Sequence, residues 1–250
     1  DLNFQVDKGQ TIGILGANGV GKSVLFKLIC GLERPNQGRV LVNNVEVGRE
    51  EDFPRDVGIL INEPAFIPIY SGIKNLMLLA EINNTVDEKT VKSYMKSVGL
   101  DPENQTKVQN YSLGMKKKLA ICQAIMENQS IILLDEPFNG LDFSSVLEVK
   151  KILGELIQEG KTILLTSHHQ QDLDAICDEL YIIDDYHLKI LTDEIRNEYF
   201  RIKELLGKQP TRMDLFTYMD DDVYQMAVTH SNENPFKKYL NYLEELDELT

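Results

Sequence analysis

The stretch that most restricts what this chain can fold into is residues 16–23, GANGVGKS. A short run rich in β-branched residues, TIGIL, precedes it, and the apolar run VLFKLI follows it, which predicts a strand, a loop and a helix in that order. The glycines of the loop allow backbone angles and close approaches that larger side chains would block. The N–H groups of such a loop and of the helix N-terminus that follows attract anions, and phosphates in particular.

The spacing G-x-x-x-x-G-K-S/T between a strand and a helix is a specific signature of nucleotide phosphate binding. We predict that Lys22 reaches the outer phosphates and that Ser23 offers its hydroxyl to Mg²⁺. The other predicted phosphate-binding residues are Gly16, Asn18, Gly19 and Gly21. The alternative interpretation, a glycine-rich turn with a chance Lys-Ser pair, leaves the flanking strand and helix unexplained.

A phosphate loop of this kind needs a metal-holding carboxylate at the end of a neighbouring strand. The run IILLDEP at 131–137 supplies one, because its four apolar residues predict a strand that leads into Asp135. We predict that Asp135 holds Mg²⁺ through water. Adjacent residues at a strand end point to opposite sides, so Glu136 faces the γ-phosphate and is the predicted general base for an attacking water. The alternative is an ordinary Asp-Glu-Pro turn.

Strands and helices alternate over the first three-quarters of the chain, which predicts an α/β fold. The apolar runs at 131–134 and 162–167 are typical of parallel strands covered on both faces. Residues 39–47, with a turn at Asn43-Asn44, and residues 180–191 each predict a hairpin. The pattern at 72–112 is helical, with a capping box predicted at TVDE, residues 85–88, and a helix stop at Gly99.

Composition excludes some classes of protein. The net charge of −14 argues against a general nucleic-acid binder, which needs a basic surface. No apolar run approaches the ~18 residues of a transmembrane helix. The three cysteines are not spaced as a metal knuckle or a redox pair, so we expect reduced thiols and a reducing compartment. The alternating pattern that opens the chain leads us to expect missing upstream residues.

In chain order, GANGVGKS, YSLGM, IILLDEP, NGLD and SHH resemble the motifs of the ATP-binding cassette (ABC) ATPases, over residues 1–191. The resemblance implies an α/β P-loop NTPase fold of the ABC type, with a mixed sheet core and an inserted α-helical subdomain at about 72–112. It also implies ATP and Mg²⁺ as ligands. The stretches YSLGMK and ILINEPAFIP look most like the subgroup that exports bacitracin-type and lantibiotic-type antimicrobial peptides.

The same resemblance implies roles for further residues. In this family two cassettes meet head to tail, and the signature motif of one touches the γ-phosphate held by the other; Ser112 and Gly114 fall on that motif. Asp142 matches the aspartate that crosses the dimer seam, and His168 matches the histidine that senses the γ-phosphate. Asn62 stands where the family has a glutamine that contacts Mg²⁺ and water, and it is one methylene shorter. The signature reads YSLGM instead of the usual LSGGQ.

The implied function is that of the ATP-binding and hydrolysing subunit of an ABC transporter, at the cytoplasmic face of the cell membrane. Its implied partners are a membrane-spanning permease and a second cassette, identical or different, with no nucleic acid. One alternative is a soluble ABC-type ATPase that acts on the ribosome or on nucleic acid. Another is a regulatory cassette with weak hydrolysis, which Asn62 and the altered signature favour.

Residues 192–250 lie outside the resemblance and predict a C-terminal helical extension. Its acidic side chains outnumber its basic ones, which disfavours nucleic-acid contact. One predicted helical face is apolar and carries Phe236, Tyr239, Leu240, Leu243 and Leu246. We therefore expect an accessory or dimer-packing tail.

Overall fold

The computed structural model describes residues 2–16, 18–62, 65–83, 86–168, 170–174, 176–184 and 187–192. The predicted C-terminal extension lies outside these residues, except for Thr192. Within the described ranges, none of the helices combines the length and the apolar character needed to cross a membrane.

The strands begin and end close to the predicted positions. They are β1 (Thr11–Leu15), β2 (Leu41–Val42), β3 (Val45–Glu46), β4 (Val57–Leu60), β5 (Ile131–Leu134), β6 (Thr162–Ser167), β7 (Glu179–Asp184) and β8 (His187–Ile190). The central sheet has the order β4-β5-β6-β1-β7-β8, and β2 pairs with β3 in a separate hairpin. All neighbours in the central sheet are parallel except β7 and β8, which are antiparallel. The predicted mixed sheet is confirmed.

The helices of the described part are α1 (Lys22–Ile29), α2 (Gly72–Asn83), α3 (Glu88–Ser97), α4 (Leu113–Ile125), α5 (Phe143–Gln158) and α6 (Gln170–Asp174). Between α3 and α4 the chain makes one 3-10 turn, Val108–Asn110. Helices α2 and α3 pack on each other, and α4 packs on β4 and β5.

The central strands are buried on both faces, as their apolar runs predict. Alternate residues of β5 and β6 enter two separate clusters: Leu133 and Leu164 pack with α1, whereas Leu134 and Leu165 pack with α4 and α5. On the α1 side Phe26 is fully buried. Sheet strands covered on both faces can bury nearly every side chain, and this burial is the main source of the fold's stability.

The two predicted hairpins are confirmed. Asn43 and Asn44 have φ angles of 51° and 65°, and both central residues of a type I′ turn need a positive φ. The closing hairpin pairs β7 with β8 in the register that sets Asp184 opposite His187.

The predicted helix stop at Gly99 is also confirmed, with a φ of 72°. The Gly99 N–H donates to the Lys96 carbonyl at 3.0 Å, and the Leu100 N–H donates to the Met95 carbonyl at 2.8 Å. These two bonds form a Schellman motif, in which a residue with positive φ closes the helix.

The predicted start of that helix is wrong. The N-cap is Asp87 and not Thr85, because the Asp87 side chain accepts a hydrogen bond from the Thr90 N–H at 2.8 Å and the helix begins at Glu88. Thr85 itself lies outside the described residues. The later start lets Val86 and Val91 both pack on the core, as the two apolar residues of a hydrophobic staple do.

The sheet topology fixes where functional side chains can meet. Strands β1, β5 and β6 are neighbours and parallel, so their carboxyl ends lie at one edge of the sheet. The residues that follow these ends are Gly16, Asp135 and His168. In open α/β sheets, ligands bind outside the carboxyl ends of the strands.

Candidate functional site

The glycine-rich loop after β1 has the backbone that its sequence predicts. Gly19 and Gly21 have φ angles of 86° and 108°, a region that L side chains rarely adopt. Lys22 begins α1 and is 6% exposed, and its Nζ donates a hydrogen bond to the Gly16 carbonyl. A cavity of about 170 Å³ opens beside this loop. Its lining residues are Asn18, Gly19, Gly21, Lys22, Ser23, Val24, Asp135 and Glu136.

Ser23 and Asp135 form the oxygen pair expected of a Mg²⁺ site. The Ser23 hydroxyl donates to Asp135 Oδ2 at 2.5 Å, although 112 residues separate the two in sequence. Asp135 is 5% exposed and follows β5 directly. A hydroxyl and a carboxylate are hard oxygen ligands, which Mg²⁺ prefers, so these two residues fit the metal that the sequence predicts.

The Glu136 side chain lines the cavity and lies between the side chains of Lys22 and His168. Its Oε1 is 3.0 Å from Lys22 Nζ, and its Oε2 is 2.8 Å from His168 Nδ1. The side chain is 18% exposed. The hydrogen bond between His168 Nδ1 and Glu136 Oε2 fixes the orientation of the imidazole toward the carboxylate. Lys22 of the phosphate loop and His168 after β6 therefore contact the same carboxylate, that of Glu136.

The backbone of Glu136 is strained. Its φ is 49°, in the left-handed region that costs a non-glycine residue about 1–3 kcal/mol. Such strain persists only where the surroundings hold the residue in place. The two successive carboxylates have different partners: Asp135 contacts Ser23, whereas Glu136 contacts Lys22 and His168.

Thr166 is a residue of this site that sequence analysis missed. Its hydroxyl donates to Asp135 Oδ1 at 2.6 Å and accepts from the Glu136 N–H at 2.8 Å. It is fully buried in β6, two residues before His168. The only sequence signal was a hydroxyl near the end of a predicted buried strand, where burial without a partner would be costly.

Asn62 comes soon after β4 but does not line the cavity. It is exposed, and its φ of 56° turns the chain sharply after the strand. Asparagine is among the side chains that tolerate this region best. The predicted contact of Asn62 with Mg²⁺ therefore stays a prediction.

Ser112 and Gly114 lie at the start of α4, outside the cavity of their own chain. Ser112 is the N-cap, and its side chain accepts from the Met115 N–H at 3.2 Å. A Cβ placed on Gly114 would meet nothing closer than Leu141 at 3.8 Å. Packing within this chain therefore does not require a glycine at 114.

The departures from the usual signature have structural reasons. The Leu113 side chain is 54% exposed and lies against Gly140. Met115 packs on the main core. Lys118 bridges α4 to α5 through Glu148, with 2.8 Å between Nζ and Oε2.

Asp142 is the N-cap of α5. Its Oδ1 accepts from the Ser145 N–H at 2.8 Å and from the Ser144 hydroxyl at 2.9 Å. The hydrogen bonds from the Ser145 backbone and then from the Ser145 and Ser144 side chains lower the pKa of Asp142 below its ordinary 3.8. Phe143, the next residue, is 80% exposed, so an apolar ring stands beside the capped helix end.

The family model described as "ABC transporter" matches residues 1–139, more than half of the chain. The chain belongs to the ABC transporter family. It is an ATP-binding cassette, which confirms the predicted family and the predicted nucleotide, ATP.

Relatives in the ABC family support the predicted subgroup. An uncharacterized ABC transporter ATP-binding protein of Bacillus subtilis is 35% identical over 71% of this chain and 82% of its own length. The bacitracin transport ATP-binding protein of Enterococcus faecalis is 34% identical over 75% of this chain and 61% of its own. A lantibiotic transport ATP-binding protein of Streptococcus pyogenes is 29% identical over 84% of this chain and 89% of its own.

The fold of the ABC family is confirmed by a solved structure. A bacterial ABC transporter cassette, solved as a dimer, matches with a TM-score of 0.68 and 22% identity, over 77% of this chain and 90% of its own. The relatives carry transport in their names, which favours the transporter interpretation over the ribosome and nucleic-acid alternative.

The capping role of Asp142 generates a stability prediction. Because its pKa is lowered on folding, the ionised carboxylate contributes to stability above the ordinary pKa of 3.8 and this contribution is lost as pH falls through the folded value. Asp142→Ala should lower the free energy of unfolding at pH 7, and the difference from wild type should shrink below pH 3.8.

Urea unfolding followed by circular dichroism at several pH values measures this difference. Asp52→Ala is the control, since Asp52 is 81% exposed and 3.6 Å from Arg34, and an exposed ion pair contributes little. A loss for Asp142→Ala that does not change with pH would contradict the capping account.

Proposed function

We propose that this cassette hydrolyses ATP with Glu136 as the general base and couples hydrolysis to export through a separate membrane subunit. The observation that carries the proposal is the position of the Glu136 carboxylate, 3.0 Å from the Lys22 ammonium and 2.8 Å from His168. A carboxylate held at the mouth of a phosphate-binding cavity can take a proton from a water that attacks the γ-phosphate.

Each residue has a separate chemical task in the proposed reaction. Without nucleotide, Lys22 pairs with Glu136. When ATP enters, Lys22 binds the outer phosphates instead. Ser23 and Asp135 would hold Mg²⁺, which would supply positive charge to the phosphate oxygens. Glu136 accepts the proton of the attacking water. His168 orients Glu136 and contacts the γ-phosphate side of the site.

Asn62 is the proposed substitute for the family's glutamine. It follows β4, whose neighbour β5 leads into Asp135, so its side chain starts at the correct edge of the sheet. We propose that it contacts Mg²⁺ or the attacking water.

A second copy of the chain completes the proposed site. Ser112, Gly114 and Asp142 are absent from the lining of the cavity in their own chain, yet Gly114 leaves open space above the α4 N-terminus. The N–H groups and the dipole at a helix N-terminus favour a phosphate. We propose that two chains pair head to tail, so that this end of α4 faces the γ-phosphate bound to the other chain.

The segment between β4 and α2 is the proposed contact with the membrane subunit. An apolar groove of about 580 Å³ lies here, lined in part by Ile61, Phe66 and Ile82. Ile69 is 59% exposed beside it. The buried Asn75 side chain fixes the segment, because its Oδ1 accepts from the Ile67 N–H at 2.7 Å and its Nδ2 donates to the Ile67 and Ser71 carbonyls.

The names of the relatives suggest the cargo. Two are a bacitracin and a lantibiotic transport protein, so we propose an antimicrobial peptide or a similar amphipathic compound as substrate. The cassette would then act on the inner face of the cell membrane, where the membrane subunit presents its cytoplasmic side.

Replacing the proposed base tests the reaction. Glu136→Gln should bind ATP with Mg²⁺ but lower kcat about 100-fold or more, because the amide cannot accept the proton. Steady-state ATPase assays and equilibrium nucleotide binding measure the two effects.

Glu155→Gln is the matched control, since Glu155 is exposed and lies in the C-terminal half of α5. It should keep the wild-type rate. ATPase activity of Glu136→Gln close to wild type would show that Glu136 is not the base.

Gly114→Asp tests the proposed pairing in a variant that we expect to keep the fold of the single chain. Within the described part of the chain, a Cβ at Gly114 meets no atom closer than 3.8 Å, and an acidic residue in the first turn of a helix is favourable. We expect an unchanged melting temperature, unchanged ATP binding by the monomer, and loss of both ATP-driven dimerisation and turnover.

Size-exclusion chromatography with light scattering, with and without ATP, follows the dimer. Gly154→Asp is the control, because Gly154 lies within α5 and a Cβ there meets no atom within 4 Å. Normal turnover by Gly114→Asp would exclude a phosphate contact at the start of α4.

A further inference from the structure

We propose that Thr166 is a positioning residue for hydrolysis, which holds the Glu136 backbone where its carboxylate can reach the attacking water. This inference rests on the proposed role of Glu136 as base. Thr166 does not line the nucleotide cavity and acts through its two neighbours. Its hydroxyl donates to Asp135 Oδ1 at 2.6 Å and accepts from the Glu136 N–H at 2.8 Å.

The sheet register brings the hydroxyl to this place. Leu134 of β5 pairs with Leu165 of β6, so Thr166 stands beside Asp135 at the end of the ladder. Side chains two apart along a strand point to the same side, and His168 follows Thr166 by two residues. One strand end therefore delivers a hydroxyl to the Glu136 backbone and an imidazole to its carboxylate.

The hydroxyl donates its single proton in the hydrogen bond to Asp135 and accepts the Glu136 N–H with one of its two lone pairs. A carboxylate only accepts hydrogen bonds and a backbone N–H only donates, so the direction of both bonds is fixed. Thr166 is fully buried and Asp135 is 5% exposed, so water does not easily replace the hydroxyl. Its loss would remove this hydrogen bond from the buried Asp135 Oδ1 and from the part-buried Glu136 N–H, although Asp135 Oδ2 would keep its bond from Ser23.

The backbone strain of Glu136 explains why this contact matters for the reaction. With a φ of 49°, Glu136 occupies a conformation that must be held by surrounding contacts. Lys22 and His168 hold the carboxylate, whereas Thr166 holds the N–H. Without the hydroxyl, Glu136 can relax toward an ordinary φ, and its carboxylate then leaves the position between Lys22 and His168.

The test compares Thr166→Val with Thr166→Ser. Valine keeps the shape and the β-branch but removes the hydroxyl, whereas serine keeps the hydroxyl and removes a methyl group. The first measurement is hydrogen–deuterium exchange at the Glu136 amide in protein without nucleotide, resolved by NMR. We expect exchange to be about tenfold faster or more in Thr166→Val and near wild type in Thr166→Ser.

The second measurement is the split between kcat and KM for ATP with Mg²⁺. We expect Thr166→Val to lower kcat about tenfold or more, with a KM near that of wild type and a lower melting temperature, because two hydrogen bonds are lost. We expect Thr166→Ser to retain most of the rate and of the stability. Unchanged amide exchange in Thr166→Val would overturn the proposal. So would a wild-type kcat in that variant, or a serine variant as slow as the valine one.

The exchange measurement does not depend on turnover. If Glu136→Gln shows that Glu136 is not the base while Thr166→Val still releases the Glu136 amide, the proposed reaction fails and the positioning contact stands. If Glu136→Gln abolishes turnover while the amide is not released, the proposed reaction stands and the role of Thr166 fails.

Discussion

The rest of the site depends on the two hydrogen bonds that the Asp135 carboxylate accepts. It accepts one hydrogen bond from the hydroxyl of Ser23, at the start of α1, and another from the hydroxyl of Thr166, near the end of β6. These two bonds tie together the phosphate loop and two neighbouring strands at one edge of the sheet. Because the carboxylate is 5% exposed, it is stable there only with such partners. The position of Glu136, the next residue, follows from that anchoring.

In a single chain of this ABC cassette, the groups that the proposed reaction needs lie at two separate places. Lys22, Ser23 and Glu136 line one cavity. Ser112 and Gly114 lie at the start of α4, where the Ser112 side chain caps the helix by accepting from the Met115 N–H. The first N–H groups of a helix have no partner within the helix. The cap satisfies one of them, and the others can attract a phosphate, so the same helix start can be both capped and an anion site. In the proposed head-to-tail pair, this helix start faces the γ-phosphate of ATP bound to the other copy.

The sequence predicts the parts of the fold and the site that depend on local pattern. The runs at β5 and β6, the turn at Asn43-Asn44 and the stop at Gly99 each have a local physical cause, and each is present. The start of α3 was predicted wrongly, because Thr85 and Asp87 are both good caps and the packing of Val86 decides between them. Thr166 was missed, since its importance comes from strand register, which brings together residues that are distant in sequence. The φ of Glu136 has the same long-range origin.

Mixing two inactive variants tests most directly the central claim that the hydrolytic site is completed by a second copy. Lys22→Ala removes the phosphate contact of one chain, and Gly114→Asp blocks the α4 N-terminus of the other. In a head-to-tail pair of the two variants, one site contains both changes and the other contains neither. We predict that each variant alone is inactive and that the mixture recovers ATPase activity in proportion to the mixed pairs formed. A mixture that stays inactive, although mixed pairs form with ATP, would contradict the account.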